Sequence, residues 1–492
     1  MRWVTDPEFD DHDLLDYLCG PSAPPNMSAA CPTLRNCTWD PALGADGSLN
    51  ATCSNGCFVC EHKAFWPPES GDYLTGAIMF VCGTLAGASG IGGGGLNVPV
   101  LMLSGGFLVS EAVPLSHMAV LGNAVAQNLI NAPRRHPHSR ARALIDLDVA
   151  LLMLPAQLGG NTLGVLLSPA LPSTGVETLA CVLLAYAALK TVVAASKALR
   201  RERAEALARE AATSVGSPDS LVVTATKRLL TNGETLSAHP LPEEAQHDAP
   251  SATAAASSSA DDSLTATLPP RGSVLHPNLC VLVLLWLCVV LLFVGAHRWG
   301  GTHMCAPRRL VWLLAQLAIV VGAAIGGALR LRYAQAARDD AAVPLLPGDQ
   351  RWSARNTTLL PCAGALVGCV AGLLGLGGGE LMAPLLLAIG MLPQVASATS
   401  ACMVLFTSSS NVAHYVFTGV LTPDPGYVTA AAAVGFASAL IGRLLALRLV
   451  RTLSHPSLIA FTLAAVLVVA LGLLAVQMSR QRVDWSFASL CR

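Results

Sequence analysis

Charge is what this 492-residue sequence has least of: Asp, Glu, Lys and Arg make up 12% of it, against 53% hydrophobic residues. Soluble domains run near one quarter charged, so a water-bathed chain is excluded and a polytopic membrane protein is indicated. Aromatics are only 5%, and no basic stripe interleaves with them, so nothing points to nucleic-acid binding. There is no ATP-binding motif, which argues against primary active transport by this chain. The apolar stretches hold scattered single polar residues rather than clustered His, Asp or Glu or a nucleophile–base pair. That speaks against an enzyme, and no cofactor or metal is expected.

What the sequence does have is glycine in runs. Gly90-Ile91-Gly92-Gly93-Gly94-Gly95-Leu96-Asn97-Val98-Pro99 recurs 285 positions later as Gly375-Leu376-Gly377-Gly378-Gly379-Glu380-Leu381-Met382-Ala383-Pro384. The first copy lies in a stretch, Tyr73 to Ser110, without a single charged residue. As one helix that stretch would be about 57 Å long, against a hydrocarbon core of roughly 30 Å. It must break, and consecutive glycines followed by a proline are where it would. Backbone opened at membrane depth is tolerated only when buried in protein or lining a cavity. Two such breaks in corresponding places point to a transporter binding site.

The chain then divides as follows. Residues 1–72 are polar and acidic, with Cys19, Cys31, Cys37, Cys53, Cys57 and Cys60 and glycosylation sequons at Asn26, Asn36 and Asn50. An even cysteine count beside sequons reads as a disulfide-stapled extracellular or lumenal domain of undetermined pairing. Zinc binding by the Cys53–Cys60 cluster would require a reducing compartment. No apolar signal peptide precedes the domain, so either the first membrane segment translocates it or the start lies upstream. Residues 73–199 form a first transmembrane repeat: a broken run (74–109), then spans near 112–132, 147–167 and 177–199. Residues 200–276 read as a cytoplasmic linker, helical to about Ala212 and then disordered, rich in Ser, Thr, Ala and Pro. A hairpin (277–335, spans 278–297 and 309–332) and a cytoplasmic loop (336–358) lead to a second repeat, 359–478. It has a broken run (359–390) and spans near 395–417, 427–450 and 456–478, before a tail (479–492).

Loop charge orients these segments. Arg134, Arg135, Arg140 and Arg142 follow the span 112–132, whereas the loop 168–176 has no Lys or Arg. Positive loops stay cytoplasmic, which puts the N-terminal domain outside, as the sequons independently indicate. In the second half the bias reverses: 418–426 has no Lys or Arg, and Arg448 and Arg451 mark the next loop. The expected fold is therefore an all-α membrane protein of two inverted-topology repeats, with about eight full spans plus two broken hairpins. It would sit in the plasma membrane or an endomembrane.

A helix restarting after glycines aims unpaired N–H groups and a positive dipole end inward, a ready anion site. Gly92, Gly93, Gly94 and Gly95 with Asn97, and Gly377, Gly378 and Gly379, are thus candidate substrate-binding positions. Gly83-xxx-Gly87 and Gly368-xxx-Gly372 read as ordinary helix packing. His117, Asn123 and Asn128 on the first following span, and Ser400, Thr407, Ser408 and Asn411 on its equivalent, are candidate cavity walls. For each Ser or Thr, a bond back to its own helix is an equal alternative. Glu380 replaces Gly95 in the second copy, as a cap of its helix or as carrier of a coupling proton. Lys190 and Arg443 lie near cytoplasmic helix ends, where snorkelling explains both.

The paired Gly-x-Gly-Gly-Gly segments followed by apolar residues and Pro, in two halves joined by a loop, resemble the TauE/SafE sulfite exporter family. The resemblance covers roughly 73–199 and 359–478. It implies a secondary transporter of a small, sulfur-containing anion such as sulfite, thiosulfate or an organosulfonate, with Gly92–Gly95 and Gly377–Gly379 cradling it. The cysteine-rich N-domain and long linker depart from the compact bacterial pattern and fit a eukaryotic-type member. The alternative is a non-transporting receptor or scaffold with a ligand-binding lumenal domain. Oligomeric state has no signature in the sequence.

Overall fold

A computed structural model describes residues 35–40, 57–167, 171, 173–214, 277–299, 307–341, 348–374, 378–418, 424–453 and 457–480. The chain divides into two units, Met1–Ala195 with Pro277–Arg492, and Ser196–His276. In the first unit, β1 (Arg35–Asp40) pairs antiparallel with β2 (Cys57–His62), in a register that sets Cys37 opposite Cys60. Cys19, Cys31, Cys53, Asn26 and Asn50 lie outside the described residues.

Helix α1 (Ser70–Ser89) stops at Gly90, which takes a left-handed φ of 87°. The chain restarts as α2 (Gly94–Gly105) behind Gly93, again left-handed at 78°. A side chain at either position would be strained, which is why glycine stands there. Helix α3 (Val109–Asn131) follows, then a short hairpin of β3 (Arg135–His136) and β4 (Ser139–Ala143). The basic loop expected at 133–144 is this hairpin, and Arg142 pairs with Asp349 at 2.5 Å. Asp146 caps α4 (Leu147–Leu167) by accepting from the N–H groups of Asp148 and Val149. Helix α5 (Ser173–Ser214) continues past the expected span end at 199, as the Ala/Arg/Glu composition predicts. Residues 215–276, expected to be disordered, lie outside the described residues.

Helices α6 (Pro277–Trp299) and α7 (Pro307–Asp340) form the hairpin. The chain goes on as α8 (Ala354–Leu374), α9 (Gly379–Ala388) behind a left-handed Gly378 at φ 79°, α10 (Pro393–Thr418), α11 (Pro425–Leu453) and α12 (Ser457–Arg480). Both runs therefore break at their glycines. Pro99 and Pro384 instead sit inside the restarting helices, one turn in, where each deletes one backbone N–H donor.

Among the described residues, five helices are long and apolar enough to cross a membrane: Pro277–Trp299, Pro307–Asp340, Ala354–Leu373, Pro425–Val450 and Ile459–Ser479. Helices α2 and α9 are shorter apolar pieces. The other expected spans are helical but are not among the five. For α3 and α10 the reason is visible, since each carries a stripe of buried polar residues.

The halves pack reciprocally, α1 on α11 and α8 on α4. Backbones touch at glycines: a Cβ on Gly87 would fall 2.6 Å from Ala439 Cα, and one on Gly372 2.4 Å from the Asn161 carbonyl. Gly164 and Gly442 are equally tight, 2.1 Å from the Cys369 carbonyl and 2.0 Å from that of Thr84. Gly87 and Gly372, and Thr84 and Cys369, stand 285 positions apart. Asn161 and Ala439, and Gly164 and Gly442, stand 278 apart. One interface is thus built twice, with the two halves exchanging roles. Gly83 and Gly368 join it, against Ser438 and the Gln157 carbonyl, so the packing reading of both Gly-xxx-Gly pairs holds.

At the end of the bundle where α1 begins, the segment after β2 is pinned down. His62 stacks on Phe107 with centroids 3.9 Å apart, and Lys63 pairs with Asp72 at 2.6 Å. Asp72 also accepts from the Tyr427 hydroxyl at 2.9 Å.

Candidate functional site

The two glycine breaks meet. A Cβ on Gly379 would lie 3.2 Å from the Gly92 nitrogen and 2.5 Å from Val404 Cγ2. One on Gly92 would lie 2.6 Å from Val120 Cγ1. Only glycine lets the two chains approach this closely. Neither α2 nor α9 has a side-chain cap from the residue before it, so both restarting helices present N–H groups at the junction.

Glu380 fills part of that space. Its Oε1 accepts from the Gly95 N–H at 2.6 Å, so its carboxylate caps α2, in the other half of the chain. The expectation that it caps its own helix is corrected. The helix-terminus electrostatics are as anticipated, but they act across the junction rather than within α9. The second carboxylate oxygen is buried without a hydrogen-bond partner among the described residues. Beside Gly378, Gln157 is equally buried, and among the described residues neither its amide nitrogen nor its oxygen has a hydrogen-bond partner. Such groups are rare in a finished interior and mark polar space at the junction.

Around the breaks, α3 and α10 run antiparallel with a polar seam between them. At one end His117 Nδ1 donates to the Val113 carbonyl at 2.9 Å, leaving Nε2 to accept from Asn411 Nδ2 at 2.8 Å. Asn411 in turn accepts from Asn161 Nδ2 at 2.6 Å, so three helices are joined in one chain of bonds. In the middle, Gln127 donates to the Ile91 carbonyl at 3.1 Å and to Asn123, which reaches the Gly83 carbonyl. The opened backbone after α1 is held there. Asn128 donates to the Ala401 carbonyl at 2.9 Å, across the seam. Ser116 and Ser400 each donate to the first glycine of a restarting helix, Gly94 and Gly379 respectively.

At the other end lies Arg443, with 0% of its side chain exposed. Its Nε and Nη2 both donate to Asn131 Oδ1, at 3.0 and 2.8 Å, and Nη1 donates to Ser397 Oγ at 2.9 Å. The snorkelling reading is therefore wrong for Arg443. It points into the bundle, where polar groups from α3 and α10 receive it. Lys190 remains exposed, its ammonium 5.6 Å from the Tyr186 ring.

The structure thus brings together Gly92, Gly95, Gly379, Glu380, Asn123, Asn128, Ser400, His117 and Asn411 along one seam. Asn97 is buried in α2. Thr407 and Ser408 are buried too, but their hydroxyls bond back to Met403 and Val404 of their own helix. Gly377 lies outside the described residues. Sequence reasoning missed Ser116, Gln127, Asn131, Gln157, Asn161, Ser397 and Arg443. The spacing of Asn123, Gln127 and Asn131, four residues apart on one helix face, was the signal for that stripe; nothing local marked the others.

Fold and site define a multi-pass, all-α membrane protein whose two glycine-broken helices meet in a buried polar seam. The family model for sulfite exporter TauE/SafE matches residues 75–226 and 360–490, the two stretches that carry the breaks, and the chain belongs to that family. Sulfite exporter TauE/SafE family protein 1 of Arabidopsis thaliana is 27% identical over 405 residues, 80% of this chain and 81% of the relative. Family protein 3 of the same plant is 28% identical over 404 residues, 80% of this chain and 77% of the relative. No solved structure matches the chain significantly.

Proposed function

We propose that the protein is a secondary transporter that carries a small sulfur-containing anion, sulfite, thiosulfate or an organosulfonate, across a membrane. The two repeats are inverted, and access alternates around the two glycine breaks. The observation that carries the reading is the meeting of Gly92 and Gly379, with two helix starts beside them that have no cap from the preceding residue, α2 being held by the Glu380 carboxylate instead. Backbone dipoles at such starts stabilise an anion without a desolvated partner charge. The family name supplies the substrate class. Reciprocal packing of α1 on α11 and α8 on α4 is what an inverted pair of repeats requires.

Glu380 is a resident anion in this scheme. Its carboxylate holds the start of α2 when no substrate is there, and protonation or an incoming anion releases it. A proton thereby becomes the coupling ion. The N-terminal cysteine-rich segment lies on the extracellular or lumenal side, and Arg134, Arg135, Arg448 and Arg451 lie on the cytoplasmic side.

The test is uptake of labelled sulfite, thiosulfate and sulfonates into liposomes holding the purified protein, with and without an imposed proton gradient. Saturable uptake of one class, accelerated by the gradient, supports the reading. Folded protein that moves none of them contradicts it and returns the receptor or scaffold alternative.

A further inference from the structure

Arg443 is a buried cation whose protein partners are neutral. Buried arginines are ordinarily matched by a carboxylate, because an uncompensated charge in a dry interior is strongly disfavoured. Here the acceptors are an amide and a hydroxyl, Asn131 and Ser397, and no carboxylate pairs with the guanidinium among the described residues.

The unused bonding capacity of this cluster is mostly of one kind. A guanidinium has five N–H donors, and three are engaged. Asn131 spends its oxygen on Arg443, and its buried Nδ2 is without a partner among the described residues. Ser397 uses its oxygen as acceptor, which leaves its hydroxyl proton to give. Three side chains from three helices therefore converge donors and a positive charge on one place, against a single acceptor lone pair left on Ser397 Oγ. A cation would meet a like charge there, and a neutral acceptor would leave that charge uncompensated; an oxyanion would find several donors and the matching charge at once.

We propose that Arg443, Asn131 and Ser397 form a binding site for a small oxyanion of the sulfite or thiosulfate type. The site borders the first break, because a Cβ on Gly90 would lie 1.9 Å from Ser397 Oγ. It has no twin. The position 278 before Arg443 is Val165, so the other half lacks the charge. The site is thus a single station beside the junction, on the side where α3 runs out into Arg134 and Arg135. It rests on the transporter reading for the identity of the ion only, since binding can be measured without transport.

The experiment uses the full-length protein purified in detergent, titrated with sodium thiosulfate against sodium chloride at constant ionic strength. Thermal stability and labelled-thiosulfate binding are both read. Wild type is expected to bind saturably and to be stabilised. Asn131→Asp places a carboxylate on Arg443, so it should be at least as stable without ligand as wild type and bind thiosulfate at least tenfold more weakly. Arg443→Gln should lose binding outright. Wild-type protein that does not bind, or a folded Asn131→Asp variant that binds as wild type does, overturns the site, and the second result decides the matter if Arg443→Gln does not fold. Liposome uptake by wild-type protein that shows no saturable binding overturns the site and leaves transport standing. Arg443-dependent binding without any uptake supports the site and removes the transporter reading.

Discussion

Gly95 and Glu380 hold the same place in the two glycine runs, 285 positions apart, and they touch each other: Glu380 Oε1 accepts from the Gly95 N–H at 2.6 Å. Corresponding positions of the two glycine runs thus meet at the junction. Two side chains cannot share that point. A Cβ on Gly95 would stand 2.2 Å from Glu380 Oε2, so a carboxylate in one copy requires glycine in the other.

Size complementarity at this contact predicts a rescue. Gly95→Ala alone should overpack the junction and cost about 1–3 kcal/mol of stability. Adding Glu380→Gly should restore most of the loss, since it empties the space the new methyl needs. Thermal unfolding of the single and double variants in detergent measures this. A double variant no more stable than Gly95→Ala would show that the two residues do not compete for one space.

Charge at the same contact predicts a change in pH dependence. Glu380→Gln keeps the shape but leaves the start of α2 without its resident anion. Substrate should then bind more tightly at neutral pH, and the acceleration of uptake by acid should flatten. Rates from pH 5.5 to 8 for both proteins decide it; parallel profiles would remove Glu380 from coupling.

The His117–Asn411–Asn161 chain depends on its middle member. Asn411→Ala would leave His117 Nε2 and Asn161 Nδ2 buried and unpaired, at about 1–3 kcal/mol for each orphaned group. Asn161→Ala removes only an end and should cost less. Unfolding midpoints give the order, and an equal or reversed order would mean that water replaces the lost amide.

The doubled helix interface predicts matched effects from distant changes. Gly164→Ala and Gly442→Ala, 278 positions apart, each drive a methyl into a carbonyl about 2 Å away. Their losses of thermal stability should agree closely. Gly472→Ala, where a Cβ meets nothing within 4 Å, should be neutral. Unequal losses would argue against two copies of one interface.

Much of this was legible in the sequence because its causes are local. A charge-free stretch too long for one span must break, and glycine is where the break came. The spacing in Gly83-xxx-Gly87 signalled close packing, and Asn123 and Asn128 followed from polar residues in an apolar helix. The partners were not legible. Glu380 reads as a cap because a carboxylate suits a helix start, yet nothing in its neighbourhood says that the start belongs to a helix 285 positions back. Arg443 looked like a snorkelling residue because its receivers, Asn131 and Ser397, lie 312 and 46 positions away. Pro99 was grouped with the break although it sits inside the restarting helix, since a proline reports a lost donor and not which turn loses it.

The central claim is that an anion passes where the two breaks meet. Uptake of labelled thiosulfate and sulfite into liposomes by Gly379→Ala, with Gly472→Ala as control, tests it most directly. Both variants must first be shown folded. The account predicts uptake near the wild-type rate for Gly472→Ala and at least a tenfold loss for Gly379→Ala, whose methyl would press on Val404 and on the backbone of Gly92. Wild-type uptake by folded Gly379→Ala would contradict it and place the pathway elsewhere in the bundle.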